Sequence, residues 1–302
     1  MIKNINELLE AAKKQETMKL VVAAAQDEDV LLAVVKAAEE SVVEPVLVGD
    51  EKLIKEIADK NKLDLSGYQL IHLEDLTEVA RKSVELVKTG QADFVMKGLI
   101  DTSILLKAVL DKEVGLRTDS QLSHVMVYDI PTYHKLMYFT DGGMNITPDL
   151  EAKTAITKNA IQVAKALGND NVKVACLAAK EKVNPKMPAT VDAKALEEKC
   201  QNGEFGEGVI VEGPLAFDLV VSKEAAETKG FKSQIAGDVD VVVVPTIEVG
   251  NGIGKSLTYL SKARSAGIIM GAKAPVVLVS RADSFEDKLN SIALGSVIAA
   301  YK

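Results

Sequence analysis

The chain is poor in cysteine: Cys176 and Cys200 are the only two in 302 residues. Two thiols so placed make neither a disulfide framework nor a zinc pattern, and Cys176 sits inside the apolar run VKVACLAA, so both read as buried structural thiols. Long apolar runs are also missing. No stretch approaches the roughly 18 to 20 residues that a membrane helix needs. The start, MIKNINELLEAAKKQ, is an amphipathic helix pattern broken by acids and lysines, without the apolar core of a signal peptide. A soluble, cytoplasmic protein with no membrane partner is therefore expected. Basic excess is absent, since the formal net charge is −8, which argues against nucleic acid as the main partner. Local basic groups can still bind phosphate in an acidic protein. There is no repeat with a period of 20 to 50 residues, no low-complexity segment and no Pro/Gly/Ser-rich linker, so a domain boundary has no compositional mark.

What is present is a core-forming chain, 47% hydrophobic, in which short β-branched runs alternate with longer helical patterns. Strands are predicted over Lys19–Ala25, Pro45–Val48, Phe94–Lys97, His124–Tyr128, Leu136–Thr140, Val172–Ala178, Gly208–Glu212, Val239–Pro245 and Val276–Ser280. Helices are predicted over Val30–Glu40, Leu53–Asn61, Leu76–Thr89, Ser103–Asp111, Leu150–Leu167, Ala193–Gln201 and Asp287–Ala300. This alternation predicts a doubly wound α/β architecture with mainly parallel strands. The run VDVVVVP lacks polar alternation, as expected of a strand covered on both faces.

In such sheets ligands bind beyond the carboxyl ends of the strands, so polar groups at those junctions are the candidates. PVVLVSRADS (Pro275–Ser284) ends an apolar run in a hydroxyl, a guanidinium and a carboxylate. Ser280 and Arg281 suit an anionic substrate, whereas Asp283 or Ser284 can instead cap the last helix with Glu286 or Asp287 as partner. VMKGLIDTS supplies Lys97, then Gly98 for close backbone approach, then Asp101 at a helix mouth; an ordinary capped helix with a solvated lysine fits as well. No GxxxxGK[ST] P-loop occurs there. VGLRTDSQLSHV offers Arg117 as a phosphate clamp or a solvated surface group, with Ser123, and with His124 as acid–base or structural group. FTDGGMNITPDL carries Asp141 and Asn145, and VEGPLAFDL carries Asp218. PTIEVGNGIGKSL has Gly250, Gly252 and Gly254 but fails the GxGxxG spacing, so no dinucleotide site is assigned. Its Asn251 and Lys255, near a helix start, fit a phosphate- or pantetheine-bearing ligand or a plain flexible loop.

The ordered series VMKG, GLRTDSQLSHV, TDGGMN, NPKMP, VEGPLAFD, PTIEVGNGIGKSLTY and PVVLVSRADS resembles the phosphate acetyl/butyryltransferase family, most closely its butyryltransferase branch, over essentially the whole chain. The resemblance implies two α/β domains of isocitrate/isopropylmalate dehydrogenase type with an interdomain cleft, residues 1–130 plus 273–302 forming one and 131–272 the other. It implies interconversion of acyl-CoA and inorganic phosphate with acyl phosphate and CoA by direct attack, without metal or redox cofactor, in a homo-oligomer. By that resemblance Ser280 steadies the oxyanion, Arg281 and Arg117 hold phosphate, Asp283 or Asp287 is the base, and Lys97, Ser123, His124, Asp141, Asn145 and Asp218 serve the phosphate and substrate side. Glu248, Asn251 and Lys255 serve CoA.

Two departures bear on the acyl group. Where the acetyltransferase pattern has a tyrosine and a cysteine, this chain has Gly254 and Gly142, and small residues there are expected to leave room for a butyryl or branched acyl chain. Other readings are a phosphate acetyltransferase, a decarboxylating NAD(P)-dependent dehydrogenase, for which the metal-binding aspartate cluster is not found, and a non-catalytic CoA-binding sensor without a base.

Overall fold

A computed structural model describes residues 1–280 and 283–301. In chain order the elements are α1 (Ile5–Lys14), β1 (Met18–Ala23), α2 (Glu28–Glu39), β2 (Val43–Gly49), α3 (Glu51–Asn61), β3 (Gln69–His72), α4 (Leu76–Lys88), β4 (Phe94–Lys97) and α5 (Thr102–Val109). The middle of the chain forms β5 (Ser123–Asp129), β6 (Met137–Thr140), α6 (Leu150–Ala166), β7 (Val172–Leu177), α7 (Pro188–Gln201), β8 (Val209–Leu215), α8 (Phe217–Val221), α9 (Lys223–Thr228), β9 (Val241–Val243) and α10 (Ile247–Tyr259). The chain closes with β10 (Arg264–Met270), β11 (Val276–Val277) and α11 (Phe285–Ala300).

Two compact units result. The first holds Asn6–Ser120 and Ala266–Lys302, the second Met1–Ile5 and Gln121–Ser265. β5 falls in the second unit because it pairs antiparallel with β6, and Ile5 joins it through a hydrogen bond from its backbone amide to Asp129 Oδ2.

In the first unit the strand order is β3-β2-β1-β4-β11-β10, parallel except for β10. The winding runs β1 to β2 to β3, then crosses back to β4 on the other side of β1. That reversal is the topological switch point at which doubly wound sheets bind ligands. Strands β1 and β2 each run into an aspartate, Asp27 or Asp50, that caps the next helix by accepting its first amides; Asp75, three residues beyond β3, does the same for α4. In the second unit the order is β5-β6-β9-β7-β8, with β6, β9, β7 and β8 parallel. Its core packs Tyr128, Met137, Phe139, Val242 and Leu257, with Tyr128 and Phe139 edge to face at 5.7 Å between ring centres.

Strands β3 and β10 are additional to those expected from sequence, as β3 carries only half-buried and exposed side chains and β10 opens on an arginine and a serine. The larger difference is α10. The glycine-rich stretch that reads as a loop is a thirteen-residue helix. Two of its glycines lie where backbone or a side chain presses on it. A Cβ at Gly250 would stand 2.7 Å from Gly142 Cα, and one at Gly254 would stand 2.6 Å from the Tyr128 hydroxyl. Cys176 is buried, which pushes its thiol well up from the ordinary value, while Cys200 is half-buried. Among the described residues no helix is long and apolar enough to cross a membrane.

Candidate active site

In the first unit, β4 and β11 are parallel neighbours, with Val277 opposite Met96. Their carboxyl ends therefore lie side by side, one continuing into Lys97 and Gly98, the other into Ser280. Gly98 has no room for a side chain, since a Cβ would meet the Ala24 carbonyl oxygen at 2.1 Å. The chain beyond β4 is thereby laid against the end of β1, with Gly98 and Leu99 amides bonding to Ala23 and Ala24 carbonyls. Lys97 is buried, and its Nζ donates to the Gly98 carbonyl at 3.3 Å.

Ser280 is exposed at the head of a turn that Asp283 closes twice. The Ser280 amide donates to Asp283 Oδ2 at 2.7 Å, and the Asp283 amide donates to the Ser280 carbonyl at 3.1 Å. Ser284 is the N-cap of α11: its Oγ accepts from the Asp287 amide and donates to Asp287 Oδ2 at 2.8 Å. Of the caps that the sequence allows, the structure uses Ser284, with Asp287 as its partner three residues on. Arg281 lies outside the described residues. Arg117 is exposed on a segment tied to the β10–β11 turn through Lys273 N to Leu116 O and Thr118 Oγ1 to Gly271 O. That turn is at the amino end of β11, so within the unit Arg117 and Ser280 belong to opposite ends of the strand.

In the second unit, Asp141 is the centre of a tight cluster. Only 2% exposed, its carboxylate accepts from the amides of His124, Gly143, Met144 and Asn145 and from Asn145 Nδ2, at 2.7 to 3.4 Å. A carboxylate so occupied fixes the 141–145 loop and the start of β5. Asn145 Nδ2 also donates to the Leu122 carbonyl, and Asn145 Oδ1 accepts from Gln121. Ser123 is fully buried and accepts from Asn159 at 2.8 Å. The cluster extends to α10, because Asn251 Nδ2 reaches the Gly142 carbonyl at 3.4 Å.

The other candidates of this unit stand apart from that cluster in their bonding. Glu248 is exposed in the first turn of α10, its carboxyl held below the ordinary value by its own amide and by the Thr246 hydroxyl. Lys255 is exposed, with Nζ 6.0 Å from the Tyr259 ring centre. Asp218 pairs with Lys229 at 2.8 Å, which lowers its carboxyl. Among the described residues no group of three or more His, Cys, Asp or Glu side chains is placed to hold a metal.

Two sequence expectations change. Gly142 does not open space for an acyl chain, because a Cβ there would stand 2.8 Å from Gly250 C and 3.0 Å from Asn251 N. The space beside Gly254 is filled by the Tyr128 hydroxyl. The smallness of both residues serves the packing of α10. Sequence reasoning also missed Lys288. It is 2% exposed, and its Nζ donates to the Asp283 carbonyl at 2.5 Å. Its one sequence signal is a lysine at the start of the buried, mostly apolar stretch of α11.

A doubly wound frame in which adjacent parallel strands lead on to Lys97 and Ser280, with Asp283 and the buried Lys288 following, is the layout of an α/β enzyme handling an anionic substrate. The family model described as phosphate acetyl/butaryl transferase matches residues 4–82 and 71–296, and the chain belongs to that family. It is 44% identical to the phosphate butyryltransferase of Clostridium acetobutylicum over 302 residues, 100% of both chains. A branched-chain phosphotransacylase from Enterococcus faecalis V583 matches with a TM-score of 0.82 at 36% identity, covering 93% of this chain and 99% of that one. At the level of fold alone, a 4-hydroxythreonine-4-phosphate dehydrogenase from Burkholderia phymatum matches with a TM-score of 0.53 at 14% identity, over 94% of this chain and 99% of its own. The dehydrogenase-like α/β fold expected from the motifs therefore holds.

Proposed function

We propose that the chain transfers a short acyl group between coenzyme A and inorganic phosphate, with butyryl or a branched short-chain acyl group as substrate. The observation that carries this is full-length similarity to a phosphate butyryltransferase, supported by adjacent parallel strands β4 and β11 whose chains lead on to Lys97 and Ser280. The family description spans acetyl and butyryl transfer, so the choice of acyl group rests on the butyryl and branched-chain relatives.

In the direction of acyl-CoA synthesis a carboxylate takes the CoA thiol proton, and the thiolate attacks the carbonyl carbon of the acyl phosphate. Ser280 Oγ–H donates to the oxyanion of the tetrahedral intermediate, an interaction worth roughly 3 to 4 kcal/mol when preorganised. Collapse expels phosphate, which Lys97 and Arg281 steady by charge, while Arg117, on a segment tied to the amino end of β11, stands outside this group. In reverse, phosphate attacks the thioester and the same cations offset its repulsion from the CoA phosphates. Asp283 and Asp287 are the candidate bases, and because Asp283 also closes the turn under Ser280, Asp283→Asn and Asp287→Asn separate proton transfer from turn geometry. Glu248, Asn251 and Lys255 are assigned to CoA. No resident metal or redox cofactor enters the scheme. A homo-oligomer in the cytoplasm completes the reading, and light scattering of the purified protein tests the first of these.

The deciding measurement is phosphate-dependent release of CoA thiol across acetyl-, propionyl-, butyryl-, isobutyryl- and isovaleryl-CoA, with Ser280→Ala as control. Release that favours four- or five-carbon substrates and falls about 100-fold or more in the variant is expected. Release without phosphate would indicate a thioesterase, and no release with any substrate would overturn the reading.

A further inference from the structure

We infer that Lys288, a buried cation under the Ser280–Asp283 turn, is a positioning residue for phosphate and acyl phosphate. The inference rests on the proposed acyl transfer. Lysine is costly at this position for two independent reasons. Its side chain is 2% exposed, where an ammonium forfeits hydration. It also lies in the first turn of α11, at the positive end of the helix dipole, where a cation is repelled. The neighbouring positions from Leu289 to Ile298 are buried and mostly apolar, so an aliphatic residue would satisfy packing alone.

The contacts of Nζ indicate what offsets these costs. It donates to the Asp283 carbonyl at 2.5 Å and stands 3.7 Å from Asp29 Oδ2, whose side chain is 59% exposed in the first turn of α2. Asp283 is the residue whose carboxylate and amide close the turn on Ser280. Lys288 therefore grips the base of that turn from inside the protein. Its charge is only loosely matched by Asp29, at a longer distance and in solvent. An incompletely neutralised buried ammonium projects positive potential toward the strand end, since low-dielectric surroundings screen it less than water does. Lys97, another buried lysine, ends β4, the parallel neighbour of β11. Two buried ammonium groups, one at the end of β4 and one in the first turn of the helix that follows β11, suit a substrate with a doubly charged phosphate.

The test compares wild type, Lys288→Met, Lys288→Arg and Asp29→Asn in phosphate-dependent thiol release from butyryl-CoA, with thermal melts of each. An inactive wild type would remove the acyl-transfer reading itself and be recognised as such before any variant is compared. With an active wild type, folded Lys288→Met should lose at least tenfold in kcat while its KM for butyryl-CoA stays within threefold, and Lys288→Arg should recover part of the loss. A folded Lys288→Met with kcat within threefold of wild type would overturn the inference, because a purely structural lysine changes the melt and not the turnover of folded enzyme. Should Lys288→Met give no cooperative melt, Asp29→Asn decides. Removing the exposed counter-charge should lower KM for phosphate at least twofold at low ionic strength, with the difference shrinking as salt is added. An unchanged KM for phosphate would then overturn it.

Discussion

Asp141 and Gly142 show how much a single side chain, or its lack, settles at this site. Asp141 is an acid at the end of a strand, the position where a ligand contact is expected, yet its carboxylate is spent on five donors from its own loop and from β5. Gly142 is small because the backbone of α10 passes over it. Gly142→Ala should accordingly lower stability by about 1 to 3 kcal/mol, the usual cost of forcing atoms into a packed site. It should leave the ratio of kcat/KM for butyryl-CoA to acetyl-CoA unchanged. A thermal melt and the two rate constants check this; a shift toward acetyl-CoA would restore the pocket-volume explanation. Lys288 gives the complementary case, a residue without a motif whose contacts make it part of the candidate site.

At the scale of elements, α10 is the least expected feature. Three glycines in thirteen residues oppose helix formation, each by about 1 kcal/mol relative to alanine, so local preference alone leaves this segment a loop. Tertiary packing overrides it: the buried Gly250 and Gly254 allow the helix to approach Gly142 and Tyr128. Gly252 is different, being exposed with open space where its Cβ would lie. Gly252→Ala should therefore raise stability by about 0.5 to 1 kcal/mol, seen as a higher denaturation midpoint at unchanged slope. At the other candidate element, α11, the sequence announced the cap correctly, because Ser284 and Asp287 bond across three residues. Such short-range pairs are legible in any sequence.

Over the whole molecule, stability against acid depends on a charge network at the amino ends of β6, β7 and β9. Asp238 bonds Lys135, Lys173 and His134, and Lys135, itself 8% exposed, also pairs with Asp240 at 2.7 Å. Burial pushes the Asp238 carboxyl up, but its three basic partners together hold it well below the usual carboxylate range. A depressed folded-state pKa means that the contribution is complete above the unfolded value of about 3.9 and is lost as pH falls below it. Asp238→Asn should cost about 1 to 2 kcal/mol at pH 7, discounted for the partial exposure of the aspartate. The difference from wild type should narrow below about pH 4; denaturation at several pH values measures it, and a constant difference down to pH 2 would contradict it. The sequence by itself determined the alternation of strands and helices, the serine cap of α11, the strand-end position of Lys97, and the family, because each depends on neighbours a few residues apart or on motif order, whereas the strand expected over Val276–Ser280 stops at Val277. Only the tertiary structure decided that a glycine-rich segment is a helix, that Asp141 faces inward, that Arg117 and Ser280 belong to opposite ends of β11, and that a buried lysine supports the turn. Those outcomes turn on partners far apart in sequence, such as Asn251 and Gly142 at 109 positions and Thr118 and Gly271 at 153, and whether a polar group meets solvent, substrate or backbone is fixed by what the fold lays against it.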